Sequence, residues 1–263
     1  MVKVFVSDMD GTFLRKDHSY EKEKFDRIMK QLKENNQHFV VASGNQWRQI
    51  RSFFNGYEKD IHIVGENGAV ILKNDEIIGS THFDNEVLQQ LLNHVKELNV
   101  VHMCSGVHHS YVLESYPREL KALIELYARN IKYVSSYEIN DDSILKIAII
   151  CPKEITYDIF NGLKDKFKDV EIHSSGLGSV DINPLGVNKG RGLAMLLEAL
   201  GCSFDECMAF GDGGNDVSML ERVAYPKVMG NAPSWMNEFG EVIGTNEEQA
   251  VLATILKVLQ HHD

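Results

Sequence analysis

Short apolar runs spaced by longer amphipathic segments constrain this chain more than any other feature. "VKVFVS", "HFVVASG" and "IHIVGENG" are apolar at nearly every position. Between the first two lies "EKEKFDRIMKQLKENN", with Phe25, Ile28, Met29 and Leu32 at i, i+3, i+4 and i+7, one face of a helix. "QIRSFF" starts a second helix before the third run. Strands without polar alternation are buried on both faces, and the strand–helix–strand–helix–strand order places them in a parallel sheet. From 83 to 187 the rhythm changes to half-buried strands mixed with helices, among them "KIAIICP" and "GSVDINP". It resumes with the helix "GVNKGRGLAMLLEAL", the strand "CMAFGD", the helix "DVSMLERV" and a closing helix "EEQAVLATILKVL". The reading is an α/β core built from residues 1–82 and 188–263, with an α+β domain inserted at 83–187.

Open parallel sheets collect ligands outside the carboxyl ends of their strands. Three polar clusters fall there: Asp8, Asp10 and Thr12 after the first strand; Ser43, Gly44 and Asn45 after the second; and "GDGGND", residues 211–216, after "CMAF". Asp8, Asp10, Asp212 and Asp216 are expected to converge. Four carboxylates in one cleft need a cation, and oxygen ligands with glycine-rich turns suit Mg²⁺. Asn215 and Asp216 begin the next helix, where side chains cap and backbone N–H groups attract anions. Lys189, in "NKG", opens a core helix just after the insert and supplies the fixed cation that an acidic site needs for an anionic substrate. An EF-hand does not fit, because Gly11 is the fourth residue from Asp8 rather than the sixth loop position.

Composition removes other classes. Net charge is −11 with no basic tract, which argues against nucleic-acid binding. Cys104, Cys151, Cys202 and Cys207 show no CxxC spacing and read as reduced thiols of a cytoplasmic protein. No stretch suggests a signal peptide or a membrane span, and nothing demands more than a monomer. Glu66 and Asn67, in "GENGA", are either a turn or the edge of the site. Asn231 is expected to order a loop beside it, His108 and His109 to be surface residues, and Gly176 to Gly178 to form a loop that could face the substrate.

In their order and spacing, "DMDGT", "ASG", "NKG" and "GDGGND" resemble the four motifs of the haloacid dehalogenase (HAD) superfamily of phosphatases. The insert between the second and third motifs resembles the cap of the Cof-type branch. "ASGNQ", "GENGA", "DINPLGVNKG" and "VMGNAP" are similar to its bacterial sugar phosphatases. Many Cof-type members carry arginine where Asn45 stands here. The resemblance implies a Rossmann-like parallel-sheet core with an inserted α+β cap, and a Mg²⁺-dependent phosphatase of small sugar phosphates. In that reading Asp8 is the nucleophile that forms an aspartyl-phosphate, and Asp10 is the general acid and base. Asp212 binds Mg²⁺ with Asp8 and the backbone carbonyl of Asp10, and Asp216 supports the metal shell. Thr12, Ser43, Gly44, Asn45, Lys189 and Asn215 serve the substrate and its phosphoryl oxygens. The alternatives are a sugar phosphomutase or phosphotransferase on the same scaffold, and a non-catalytic phosphosugar-binding protein.

Overall fold

Strands β1 (Val4–Ser7), β2 (His38–Ala42) and β3 (Ile61–Gly65) alternate with helices α1 (Lys22–Glu34) and α2 (Trp47–Phe53), then a hairpin β4 (Val70–Lys73) and β5 (Glu76–Ser80) follows. The insert runs α3 (Asn85–Glu97), β6 (Val101–Gly106), β7 (Ser110–Leu113), α4 (Arg118–Glu125), β8 (Ile131–Val134), β9 (Ile144–Ile150), α5 (Thr156–Lys166), β10 (Val170–His173) and β11 (Ser179–Pro184). The chain returns through α6 (Lys189–Leu200), β12 (Cys207–Gly211), α7 (Val217–Leu220), β13 (Tyr225–Val228), β14 (Glu241–Val242) and α8 (Ala250–Gln260). This computed structural model describes residues 1–174 and 178–260. Of the glycine loop expected near the substrate, Gly176 and Leu177 lie outside the described residues.

The core sheet has the order β14-β13-β12-β1-β2-β3-β4-β5. It is parallel from β14 to β3, and β4 and β5 are antiparallel. The all-parallel expectation is therefore corrected at one edge. Asn74 and Asp75 take φ of 52° and 70°, the left-handed pair that a tight hairpin turn requires, and they fold β5 back on β4.

The strands of the centre are buried along their length because they are covered twice. Phe5, Phe39, Val41, Met208 and Phe210 face a layer that includes α1 and α8. Their neighbours Val4, Val6, Val40, Ala42, Cys207 and Ala209 face α6 and α7. Period-two alternation thus reads as a continuous apolar run. On α1 the four residues at helical spacing are the buried ones. Phe13 packs among Tyr20, Phe25, Phe39 and Phe54, with ring centroids 5.0–5.6 Å away. Truncating it to alanine would cost about 3–5 kcal/mol.

A second, six-stranded sheet has the order β10-β11-β9-β6-β7-β8. Helices α3 and α5 cover its outer face through Leu88, Leu91, Val95, Ile159 and Leu163. Its inner face is covered only in part, by Ile124 of α4 against Met103, Val112 and Ala148. The rest of that face roofs a cavity of about 400 Å³ whose floor is the carboxyl end of the core sheet. Among the described residues no helix is long and apolar enough to cross a membrane.

Candidate active site

β1 and β12 are paired neighbours, so their carboxyl ends open side by side, and the Asp8 N–H continues the pairing to the Phe210 carbonyl. The chain then curls away from the sheet. The Met9 carbonyl accepts from Thr12, Phe13 and Leu14, while Asn246 and Gln249 donate to the Leu14 and Phe13 carbonyls. Asn231 donates to the Gly11 carbonyl at 2.8 Å, the ordering role expected of it. Gly11 has φ +78°, and a Cβ there would meet Asp212 Oδ2 at 2.3 Å, so this turn admits glycine alone.

Lys189 is fully buried and lies 2.7 Å from Asp8 Oδ1 and 2.6 Å from Asp216 Oδ1. It reaches this depth because α6 packs hard against α7: a Cβ on Gly190 would sit 2.0 Å from the Ser218 carbonyl oxygen. Asp216 Oδ2 accepts the Asp212 and Gly213 N–H groups, both at 2.9 Å, which folds "GDGGND" around the acid.

Carboxylate oxygens of Asp8, Asp212 and Asp216 can lie within 4.8 Å of one another. One lysine faces three acids. Burial, reinforced by neighbouring carboxylates, raises Asp8 well above the usual range against the pull of Lys189. It also pushes Asp212 up to about 6. Burial opposes the Lys189 ammonium, but Asp216 and Asp8 outweigh it and hold its proton more tightly than usual. The cluster is therefore short of positive charge. An all-oxygen set with that deficit fits a small divalent cation.

The Asp10 side chain is not among the three clustered carboxylates, although it lines the same cavity as Asp8 and Asp212. The curl after Asp8 turns its side chain outward, where it is 53% exposed. Asn45 Nδ2 donates to Asp10 Oδ2 at 2.6 Å, and Asn45, expected among the phosphate binders, itself lines the cavity. Thr12, expected beside it, is fully buried and its hydroxyl donates to Asp212 Oδ1 at 2.7 Å. Ser43, Gly44 and Asn215 line the cavity with Asp8, Asp10 and Asp212. His18, which the sequence reading passed over, also lines it, with Nδ1 3.6 Å from Asp10 Oδ1.

The larger omission is Lys146 of β9. It is buried, donates to the Gly44 carbonyl at 2.5 Å, and pairs with Glu66 at 2.9 Å and Asp181 at 3.5 Å. Asn67 donates to Asp181 and Asn183, and accepts from Asn215 at 3.2 Å. Glu66 and Asn67, at φ of 52° and 59°, thus form a polar joint between the two sheets. His108 is exposed, and both His108 and His109 donate their backbone N–H groups to Asp142, away from the cluster.

Residues 5–255 match the family model of the haloacid dehalogenase-like hydrolases. The chain belongs to that family. This haloacid dehalogenase-like hydrolase is 31% identical to the 5-amino-6-(5-phospho-D-ribitylamino)uracil phosphatase YbjI of Escherichia coli, over 99% of this chain and 97% of the relative. It is 26% identical to an HMP-PP phosphatase of Enterobacter, over 95% and 93%. A solved protein of Streptococcus mutans superposes with a TM-score of 0.92 at 31% identity, covering 99% of this chain and all of that one. The HAD subclass IIB sugar phosphatase BT4131 shares the fold, with a TM-score of 0.81 at 18% identity and coverage of 98% and 99%. The hydrolase is a phosphatase of the HAD superfamily, with an α/β Rossmann-like core.

Proposed function

We propose that this phosphatase hydrolyses small sugar and polyol phosphates through an aspartyl-phosphate, with Mg²⁺ held by Asp8, Asp212 and Asp216, as a cytoplasmic monomer. One observation carries the reading: Lys189 pins one oxygen of Asp8 at the cavity floor, while Asn45 holds Asp10 on the cavity wall. The remaining Asp8 oxygen attacks phosphorus and the bond to the leaving oxygen breaks. Asp10 gives that oxygen a proton. Asp10 then takes a proton from the water that attacks phosphorus, and the bond to Asp8 breaks. Ser43, the Gly44 N–H, Lys189 and Asn215 hold the phosphoryl oxygens. Mg²⁺ supplies the positive charge that the three acids lack and keeps Asp8 ionised. The roof admits a small ligand and keeps bulk water out. The names of the relatives, which refer to small phosphorylated metabolites, support this class.

The test is a screen of phosphorylated metabolites for free phosphate, with Mg²⁺ and with EDTA. Hydrolysis that chelation removes and Mg²⁺ restores is expected. Activity indifferent to exhaustive chelation would sink the metal. Isomerised sugar phosphate in place of free phosphate would replace the hydrolase with a mutase.

A further inference from the structure

We propose that Asn231, Asn246 and Gln249 are positioning residues for Asp10: their side-chain amides hold the turn that carries the acid and base, while Asp8 has other supports. The proposal rests on the phosphatase reading above, with Asp10 as the proton donor.

The first observation is how differently the two aspartates are held. Asp8 follows β1 directly: its N–H bonds to the Phe210 carbonyl, and its side chain is bonded to Lys189. Asp10 lies past the sheet. Asn231 Nδ2 donates at 2.8 Å to the carbonyl of Gly11, the next residue in the chain. Asn246 Nδ2 donates at 2.7 Å to the carbonyl of Leu14, which lies beside Asp10 in a short β-bridge. Gln249 Nε2 donates to the Phe13 carbonyl at 3.0 Å. The amides thus grip the turn next to Asp10 in sequence and in space, and none of these bonds reaches Asp8.

The second is that the amides are locked to one another. The Asn246 N–H donates to Asn231 Oδ1 at 3.0 Å, which leaves Asn231 Nδ2 to face Gly11. The Gln249 N–H donates to the Asn246 carbonyl at 3.0 Å. A shift at the start of α8 therefore passes to Gly11 through two amides.

The third is Gln249 itself. It is 1% exposed and has φ of 55°, a left-handed backbone that is costly for a residue with a Cβ. A polar residue at the start of a helix usually turns its side chain back onto the first N–H groups. Gln249 instead accepts the Glu21 N–H on Oε1 at 2.8 Å while Nε2 reaches Phe13. One amide so ties together the two ends of the 13–21 loop, which brings His18 to 3.6 Å from Asp10. A short capping side chain would serve the helix better; the residue present serves the turn.

Proton delivery depends on such placement, and a displacement of about 1 Å costs up to about a hundredfold in rate. Two esters read it. p-Nitrophenolate leaves p-nitrophenyl phosphate without a proton, whereas the alcohol of p-nitrobenzyl phosphate needs one. For the Mg²⁺-loaded enzyme, kcat/KM reports the steps up to departure of the leaving group, before water attacks. Asp10→Asn sets the limit: a loss of about 10²–10⁴-fold with the benzyl ester and far less with the phenyl ester. Asn231→Ala and Gln249→Met should show the same selectivity, with losses of about 10–100-fold and within about threefold. The Mg²⁺ concentration for half-maximal rate should stay that of the parent. Asn231 is exposed, so its variant keeps the fold even where Gln249→Met does not. Equal losses on both esters, or none, beside a selective Asp10→Asn would overturn the proposal and leave the phosphatase reading intact. A raised Mg²⁺ requirement would also overturn it, because the amides would then serve Asp212 through Thr12. An unselective Asp10→Asn would remove Asp10 as the acid, and the proposal with it. No release by the parent from either ester would overturn the phosphatase reading and the proposal together.

Discussion

Two buried lysines bracket one cavity: Lys146 lines its roof, and Lys189 lies beneath its floor, bonded to Asp8. Each is held by two acids, and each keeps its proton more tightly than an exposed lysine does, because the acids outweigh the cost of burial. Their partners separate them. Lys189 binds two acids of its own sheet, one of them the proposed nucleophile. Lys146 reaches across from the inserted sheet to Glu66 and to the Gly44 carbonyl, with only Asp181 on its own side. The same chemical device therefore charges the reacting centre in one place and fastens the roof in the other.

Substitutions test that division. Asp8→Asn should bring turnover to background in a phosphate-release assay. Its melting temperature without Mg²⁺ should equal or exceed that of the parent, because a buried, repelled charge is gone. Residual turnover above contamination would break the floor assignment. Lys189→Met should follow, cutting kcat by about 10³-fold. It should also destabilise the protein by about 3–5 kcal/mol, since Asp8 and Asp216 are left buried without a cation. Lys146→Met should mainly raise KM, by about tenfold, through a loosened roof. If it lowers kcat as far as Lys189→Met does, the two lysines share one role and the contrast fails.

An effect on stability alone, with none on turnover, comes from a buried base with no acid beside it. His62 contacts His38 at 3.1 Å, and burial, with His38 adding to it, lowers its pKa to about 4. A group depressed in the folded state gives its full stability above its unfolded pKa. That contribution fades as pH falls from about 6.5 towards 4, by up to roughly 3 kcal/mol. Chemical denaturation of the parent and of His62→Gln should diverge in slope across that window. Parallel curves would mean that His62 titrates in the fold as it does in the unfolded chain.

Which of these groups could be read from the sequence follows the same division. Asp8, Asp212 and Lys189 each sit in a short motif at the end of an apolar run, so a local signal announces them. Lys146 does not: in "ILKIAII" a lone lysine reads as the solvent side of a half-buried strand, and its partner Glu66 lies in the turn after β3 of the core. Asn45 and Thr12 were found, but their bonds depend on how the turn after Asp8 curls, which is set by remote Asn246 and Gln249. The β4–β5 hairpin went unread because its turn is Asn-Asp, a weaker signal than Asn-Gly. β13 went unread because Pro226 argues against a strand until one sees it near the sheet's edge. Helix α7 came out at four residues, shorter than "DVSMLERV" suggests.

The pairing of β1 with β12 has a consequence for how the protein is made. On the ribosome β1 emerges first and soon finds β2, but its other edge stays bare until residues 207–211 appear. The six strands of the inserted sheet are complete before then. Asp8 meanwhile has neither Lys189 nor Asp216 beside it, and Thr12 waits for a partner 200 residues away. Such long-range closure is slow, and an open parallel edge invites pairing with other chains. The reacting centre is thus among the last parts to assemble, and a ribosome-bound fragment that stops short of β12 has a roof but no working floor.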